Sequence, residues 1–198
     1  MRVSLPWQPS LLADDVPRVT ADLGRAERCD LGAGAWYDVL PGWVSGDALF
    51  AALVEAAPWA EHERHMYDRL VVEPRLTTRA WPTPPAPVPA MAAALSAHYG
   101  CDLSTVSANL YRDGRDSVAW HGDRVGRRRE HTVVAIVSLG APRRFLLRPT
   151  GGGPSRRLTP ASGDLLVLGG TCQRTWQHCV PKCASAGPRI SVMFREEY

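Results

Sequence analysis

The sequence predicts a β-rich α+β protein in which helices come first and a barrel or two-sheet jelly roll follows. Three observations carry this. Segments 45–57 and 90–99 space their apolar residues as helices do. From Val106 onward the pattern changes to short strand-like runs. Glycine and proline punctuate those runs at Gly114, Gly140-Ala141-Pro142, Gly151-Gly152-Gly153-Pro154, Gly163, Gly169-Gly170 and Gly187-Pro188. Many short strands with regular turns make barrels or sandwiches, and a jelly-roll interior can hold a small ligand.

Taken in order, residues 1–35 mix charge, glycine and proline without period, and read as an irregular arm with weak strand character near 16–21. The first helix starts at Ser45 or Asp47, which can cap it, and carries Leu49, Phe50, Leu53, Val54 and Ala57 before Pro58 stops it. Residues 66–81 read as extended, around Val71-Val72 and Leu76-Thr77-Thr78. The proline-rich stretch 82–89 is a surface connection, and the second helix runs over 90–99 to a stop at Gly100. Strands are expected at 106–111, 117–120, 132–139, 143–149, 156–159, 164–168, 174–179 and 188–195.

Size and composition bound the rest. With 198 residues, 45% hydrophobic and 22% charged, the chain suits one packed domain over 1–198. About 1–100 would supply arm, helices and substrate lid, and about 106–198 the core. No apolar run reaches 18 residues, which argues against a membrane span. Met1-Arg2-Val3-Ser4-Leu5-Pro6-Trp7 contains no long apolar stretch, so a cytoplasmic protein is expected; a monomer is expected too.

Net charge is only +3, yet 22 of the 23 basic residues are arginine, the exception being Lys182. This reflects either compositional bias or recognition of phosphate and carboxylate, for which the guanidinium fork is suited. Nine arginines fall within 124–157, which predicts a local basic surface. The five cysteines, Cys29, Cys101, Cys172, Cys179 and Cys183, are odd in number and lack paired CxxC spacing. They read as free thiols rather than a disulfide framework or a zinc site.

The most informative stretch is Trp120-His121-Gly122-Asp123. On a strand, residues i and i+2 share a face, so His121 and Asp123 can address one metal. One more histidine completes a facial triad, which leaves positions open for O2 and a co-substrate. His178, expected on an inward-facing strand after the apolar run 165–168, is favoured over His131, which sits beside the arginine cluster at the rim. The last strand alternates strictly: Arg189, Ser191, Met193 and Arg195 on one face, Ile190, Val192 and Phe194 on the other. Six residues of extended strand span ~20 Å, so the two arginines cannot grip one end of a small ligand.

Together, Asn109-x-Tyr111, Trp120-His121-x-Asp123, Gly163-Asp164, His178 and Arg189-x5-Arg195 occur in an order that resembles the AlkB family of iron(II)- and 2-oxoglutarate-dependent dioxygenases. The likeness covers about residues 70–198, and Pro74-Arg75-Leu76-Thr77 also resembles a segment before the core. It implies a double-stranded β-helix (jelly-roll, cupin-like) core with N-terminal helices and a nucleotide-recognition lid. It implies that His121, Asp123 and His178 bind Fe(II). Arg189, helped by Tyr111, would pair with the distal carboxylate of 2-oxoglutarate. Asn109 and Arg195 would lie at the metal-proximal end, with Arg195 able to pair with Asp123. The implied activity is oxidative demethylation of N-alkylated bases in DNA or RNA: O2 and 2-oxoglutarate are consumed, and formaldehyde is released. The arginine-rich surface would then contact phosphates.

The chain departs from the family pattern in places. Ser191 stands where members commonly have Asn and would lose one hydrogen bond to the co-substrate; Met193 replaces a frequent Thr. Arg124-Val125-Gly126 follows Asp123 where repair members carry acidic residues, so base recognition does not transfer. Tyr67, Trp81 and Trp120 are the candidates for base stacking, with Arg75 beside them as a substrate residue. Two alternatives stay open: a 2-oxoglutarate-dependent hydroxylase of a protein or small molecule, and a non-catalytic nucleic-acid-binding module.

Overall fold

The computed structural model describes residues 5–8, 16–19, 22–66, 69–123 and 125–197, with the backbone alone at 64–66, 69–71, 125 and 127. Tyr67 and Asp68 fall outside the described residues. The strands are β1 (Glu27–Gly32), β2 (Ala35–Leu40), β3 (Glu63–Met66), β4 (Arg69–Val72), β5 (Leu76–Thr77), β6 (Thr105–Tyr111), β7 (Val118–His121), β8 (Thr132–Gly140), β9 (Phe145–Pro149), β10 (Arg156–Leu158), β11 (Leu165–Gly170), β12 (Trp176–Val180) and β13 (Arg189–Arg195). The helices are α1 (Gly46–Ala56), α2 (Val88–Tyr99) and the single turns α3 (Val125–Arg128) and α4 (Cys172–Thr175).

Two antiparallel sheets face each other. The larger runs β1-β2-β11-β8-β13-β6-β5 and the smaller β10-β9-β12-β7; β3 and β4 form a separate ribbon. The period-2 alternation of the strands sorts their side chains into two cores. Ile190, Val192 and Phe194 of β13, with Ala135, Val137 and Leu139 of β8, face Leu49, Phe50 and Leu53 of α1 and Met91 and Leu95 of α2. Val134, Ile136, Leu166, Leu168 and Met193 face Phe145 and Leu147 across the sandwich. Each fully buried Leu or Phe contributes roughly 1.5–3 kcal/mol. The jelly-roll core follows from this: one sheet is apolar on both faces, and the other closes over the polar end of its inner face.

Both helices form where the apolar spacing places them. Ser45 occupies the cap position of α1, but its hydroxyl makes no capping bond. It accepts from Arg18 N (2.8 Å) and donates to Val16 O (3.2 Å), tying down the preceding segment. Helix α2 begins at Val88, two residues ahead of the expected start, because Pro89 suits a first turn, where no N–H is needed. Gly100 ends it at φ 68°.

Three expectations are corrected. Residues 27–40 are not an irregular arm: β1 and β2 form a hairpin, and β2 pairs with β11, so the segment extends the main sheet. Near 16–21 the described residues make only an isolated bridge, Val19 with Val44. Residue 174 does not start a strand, since Cys172–Thr175 make a helical turn before β12.

The hairpin meets β11 at a tight point. Gly170 has φ 65°, and a Cβ there would lie 1.9 Å from Gly34 O. Gly170→Ala is therefore expected to lower stability by about 2 kcal/mol, read as a drop in the urea unfolding midpoint.

Candidate metal and co-substrate site

Strands β7 and β12 bring the two histidines together. His121 lies opposite His178, but the next pair is Val118 with Val180, so three residues of β7 span two of β12. This bulge turns both Val118 and His121 toward the interior, which plain alternation forbids. Asp123 is not on the strand as expected; β7 ends at His121 and the loop brings the carboxylate round. One ligand atom from each of His121, Asp123 and His178 lies within 4.8 Å of the other two. The predicted trio thus converges, while His131 is exposed at the rim.

Neighbouring groups orient each ligand. His121 Nδ1 donates to Ala119 O (2.8 Å), which leaves the Nε2 lone pair free, 3.7 Å from Asp123 Oδ1. Arg195 Nε lies 3.2 Å from the other oxygen, Asp123 Oδ2, and Gln173 Oε1 accepts from Asp123 N (2.8 Å). Burial pushes the Asp123 carboxyl up, but Arg195, His178 and His121 together outweigh it and hold it below the usual range. The His178 ring stacks on Phe145, with centroids 5.2 Å apart. Burial, with His121 adding to it, pushes His178 down to about 3, so at neutral pH it offers a lone pair. Two imidazoles and one carboxylate suit a divalent iron.

A second polar cluster lies further along β13. Register places Arg189 beside Tyr111 and Ser191 beside Asn109. Arg189 is 1% exposed, and among the described residues it donates to the hydroxyls Ser191 Oγ (2.6 Å) and Ser138 Oγ (2.9 Å), with the Tyr111 hydroxyl also against it. Among the described residues it has no carboxylate partner, and its Nε is buried without an acceptor. Burial lowers its pKa and Tyr111 opposes that; a guanidinium nonetheless stays charged. Burial pushes the Tyr111 hydroxyl up, against Arg189, Arg75 and Arg143. A desolvated cation ringed by hydroxyls and unmatched by protein fits a carboxylate ligand. Asn109 faces the same interior, its Nδ2 3.4 Å from Met193 Sδ.

The proposed substrate residues fare differently. Trp81 is 6% exposed and packs in the helix-side core, so it is no stacking platform. Trp120 lies on the outer face of the small sheet, under the Arg148 guanidinium at 4.1 Å, because the bulge turns it away from the interior. Arg75 is paired with Glu73 at 2.8 Å. Arg143, expected within the basic surface, is 3% exposed and donates to the carbonyls of Asp113, Asp116 and Pro181. Ser138, Phe145 and Gln173 were missed by sequence reasoning. Ser138 was findable as a polar residue in the middle of an apolar strand, on the same face as Val134 and Ile136; no pattern marks the other two.

Two thiols sit next to this site. Burial, then Asp123, pushes Cys172 up to about 12, and burial pushes Cys179 up to about 11 against Arg148. Neither forms thiolate near neutrality. Both are expected to resist an aromatic disulfide reagent at pH 8 and to react after unfolding in urea, as mass mapping of the labelled peptides would record.

The chain belongs to the 2OG-Fe(II) oxygenase superfamily, whose profile matches residues 45–195. Within it the likeness runs to the AlkB homologues. The chain is 32% identical over 187 residues to alpha-ketoglutarate-dependent dioxygenase alkB homolog 3 of Bos taurus, covering 80% of this chain and 65% of that protein. To the DNA oxidative demethylase ALKBH2 of Arabidopsis thaliana it is 34% identical over 120 residues, 48% of this chain and 38% of that one. The chain thus spans less than two-thirds of these relatives. A 2OG-Fe(II) oxygenase family oxidoreductase from Burkholderia pseudomallei shares the fold, with TM-score 0.54, 16% identity and coverage of 80% and 84%. So does a prolyl hydroxylase from Trichoplax adhaerens, with TM-score 0.57, 10% identity and coverage of 81% and 83%. Among the described residues no helix is long and apolar enough to cross a membrane.

Proposed function

We propose that the protein is an Fe(II)/2-oxoglutarate-dependent dioxygenase that demethylates N-alkylated bases in DNA or RNA. The observation that carries this is the convergence of His121, Asp123 and His178 within 4.8 Å, in the same sandwich interior as the unmatched Arg189 cation. The three side chains would hold iron. Arg189, with Tyr111 and Ser191, would hold the distal carboxylate of 2-oxoglutarate, and Asn109 and Arg195 would face its other end. With both bound, the centre supplies the oxidising power that converts an N-methyl C–H bond to a hydroxymethyl group, lost as formaldehyde.

The residues of the chain supply orientation and a dry pocket. Ala119 O fixes the His121 tautomer, Arg195 neutralises the outer oxygen of Asp123, and Phe145 and Leu147 keep water from His178. The exposed Arg144, Arg156 and Arg157 supply phosphate contacts that position without reading sequence. A duplex substrate flips its damaged base to reach the interior.

The test is formaldehyde and succinate release from Fe(II), 2-oxoglutarate and a panel of N-methylated DNA and RNA oligonucleotides. Stoichiometric formaldehyde supports the proposal. Succinate formed without loss of methyl from any oligonucleotide overturns the substrate, and stimulation by peptide or metabolite instead would assign the chain to hydroxylation.

A further inference from the structure

Gln173 touches the metal carboxylate's main chain, yet the functional reading leaves it unused. It lies in the single turn α4 and is 6% exposed. Its Oε1 accepts from Asp123 N at 2.8 Å. Its Nε2 is buried and has no hydrogen-bond partner among the described residues. Packing alone gives no reason for an amide here, because a buried donor left unpaired is unfavourable and a Leu or Met fills the same volume. Among the described residues, the bond from Asp123 N is what rewards the polar atom.

The surroundings point the same way. The loop after β7 sits directly on this residue: a Cβ at Gly122 would lie 2.5 Å from Gln173 O, and one at Gly126 2.7 Å from the same oxygen. Both glycines are thus required by close approach to α4. Gln173 also lines a groove of about 430 Å³ together with Gly122, Asp123, Gly126, Trp176 and Gln177. Asp123 has left its strand; its carbonyl accepts from Gly126 N (3.1 Å), but its N–H has no ladder partner among the described residues. The Gln173 side-chain amide holds that N–H instead, while Arg195 holds the carboxylate tip.

We infer that Gln173 is a positioning residue for Asp123, replacing the ladder bond that the loop gives up and so setting metal affinity. This rests on the metal reading above. The test compares wild type with Gln173→Met, which keeps shape and loses the acceptor, and Gln173→Glu, which keeps an acceptor for Asp123 N. Mn(II) affinity is measured by paramagnetic resonance titration without substrate. Gln173→Met is expected to weaken Mn(II) binding by about 10- to 100-fold, as loss of a second-sphere partner does, and Gln173→Glu to hold it at or above wild type. Unchanged affinity in Gln173→Met, or equal losses in both variants, overturns the inference. Amide hydrogen exchange in the metal-free wild type decides it independently of how the variants fold. The Asp123 amide is expected to be protected, and exchange at the rate of an open peptide overturns the inference. Wild type that binds no Mn(II) while protecting that amide would defeat the metal reading and leave the positioning contact standing.

Discussion

Asp123→Ala is expected to weaken Mn(II) binding by more than about 100-fold, the upper end of what removing a second-sphere partner costs, and to abolish succinate formation. Two effects add. The ion loses its only anionic ligand in the trio. Arg195, now 3.2 Å from nothing but the space the carboxylate left, presents an uncompensated cation to an incoming dication. Asp123→Asn keeps the volume but not the charge, and is expected to fail nearly as badly. His131→Ala, at an exposed position, is expected to bind Mn(II) as wild type does. A titration of the three variants against wild type checks this; wild-type affinity in Asp123→Ala would place the metal elsewhere.

Arg189→Met should separate stability from function. The guanidinium is buried, and the partners described for it are hydroxyls, those of Ser138, Ser191 and Tyr111. Removing a desolvated charge that no carboxylate balances is neutral or stabilising when an apolar side chain fills the space. The ligand-free variant is therefore expected to melt at or above the wild-type temperature. Its co-substrate affinity should fall by about 100-fold or more, since truncating one partner of a buried charge pair costs 2–5 kcal/mol or more. Thermal melts with and without 2-oxoglutarate, together with KM for 2-oxoglutarate, check both halves. A variant that 2-oxoglutarate still stabilises as it does wild type would remove Arg189 from the site. Met at 189 also leaves Ser138 and Ser191 without their donor, which limits the gain in stability to a small one.

Much of this site is local, which is why it was legible. Alternation along 189–195 assigned Arg189, Ser191 and Met193 to one face before any partner strand was known, and the structure puts that face in the interior. His121, Asp123 and His178 carry recognisable spacing and order. The reasoning failed where long-range pairing decides. The 27–40 segment joins the main sheet through the ladder of β2 with β11, some 125 residues away, and the reading as an arm missed both that ladder and the β1–β2 hairpin. The burial of Arg143 inside an otherwise basic stretch depends on three carbonyls, two from the loop between β6 and β7 and one from the segment after β12.

The amino-acid pattern by itself determined a helices-then-strands order and which residues of the last strand share a face, since each depends on residue type and period within a short window; it nominated His121, Asp123 and His178 by their order along the chain. Tertiary structure alone decided how the trio meets. A bulge in β7 turns His121 inward against strict alternation, and a glycine loop seated on Gln173 carries Asp123 round to it. The physical reason is that bulges and close backbone approaches are set by what packs against the chain, and the residues that pack there come from strands distant in sequence.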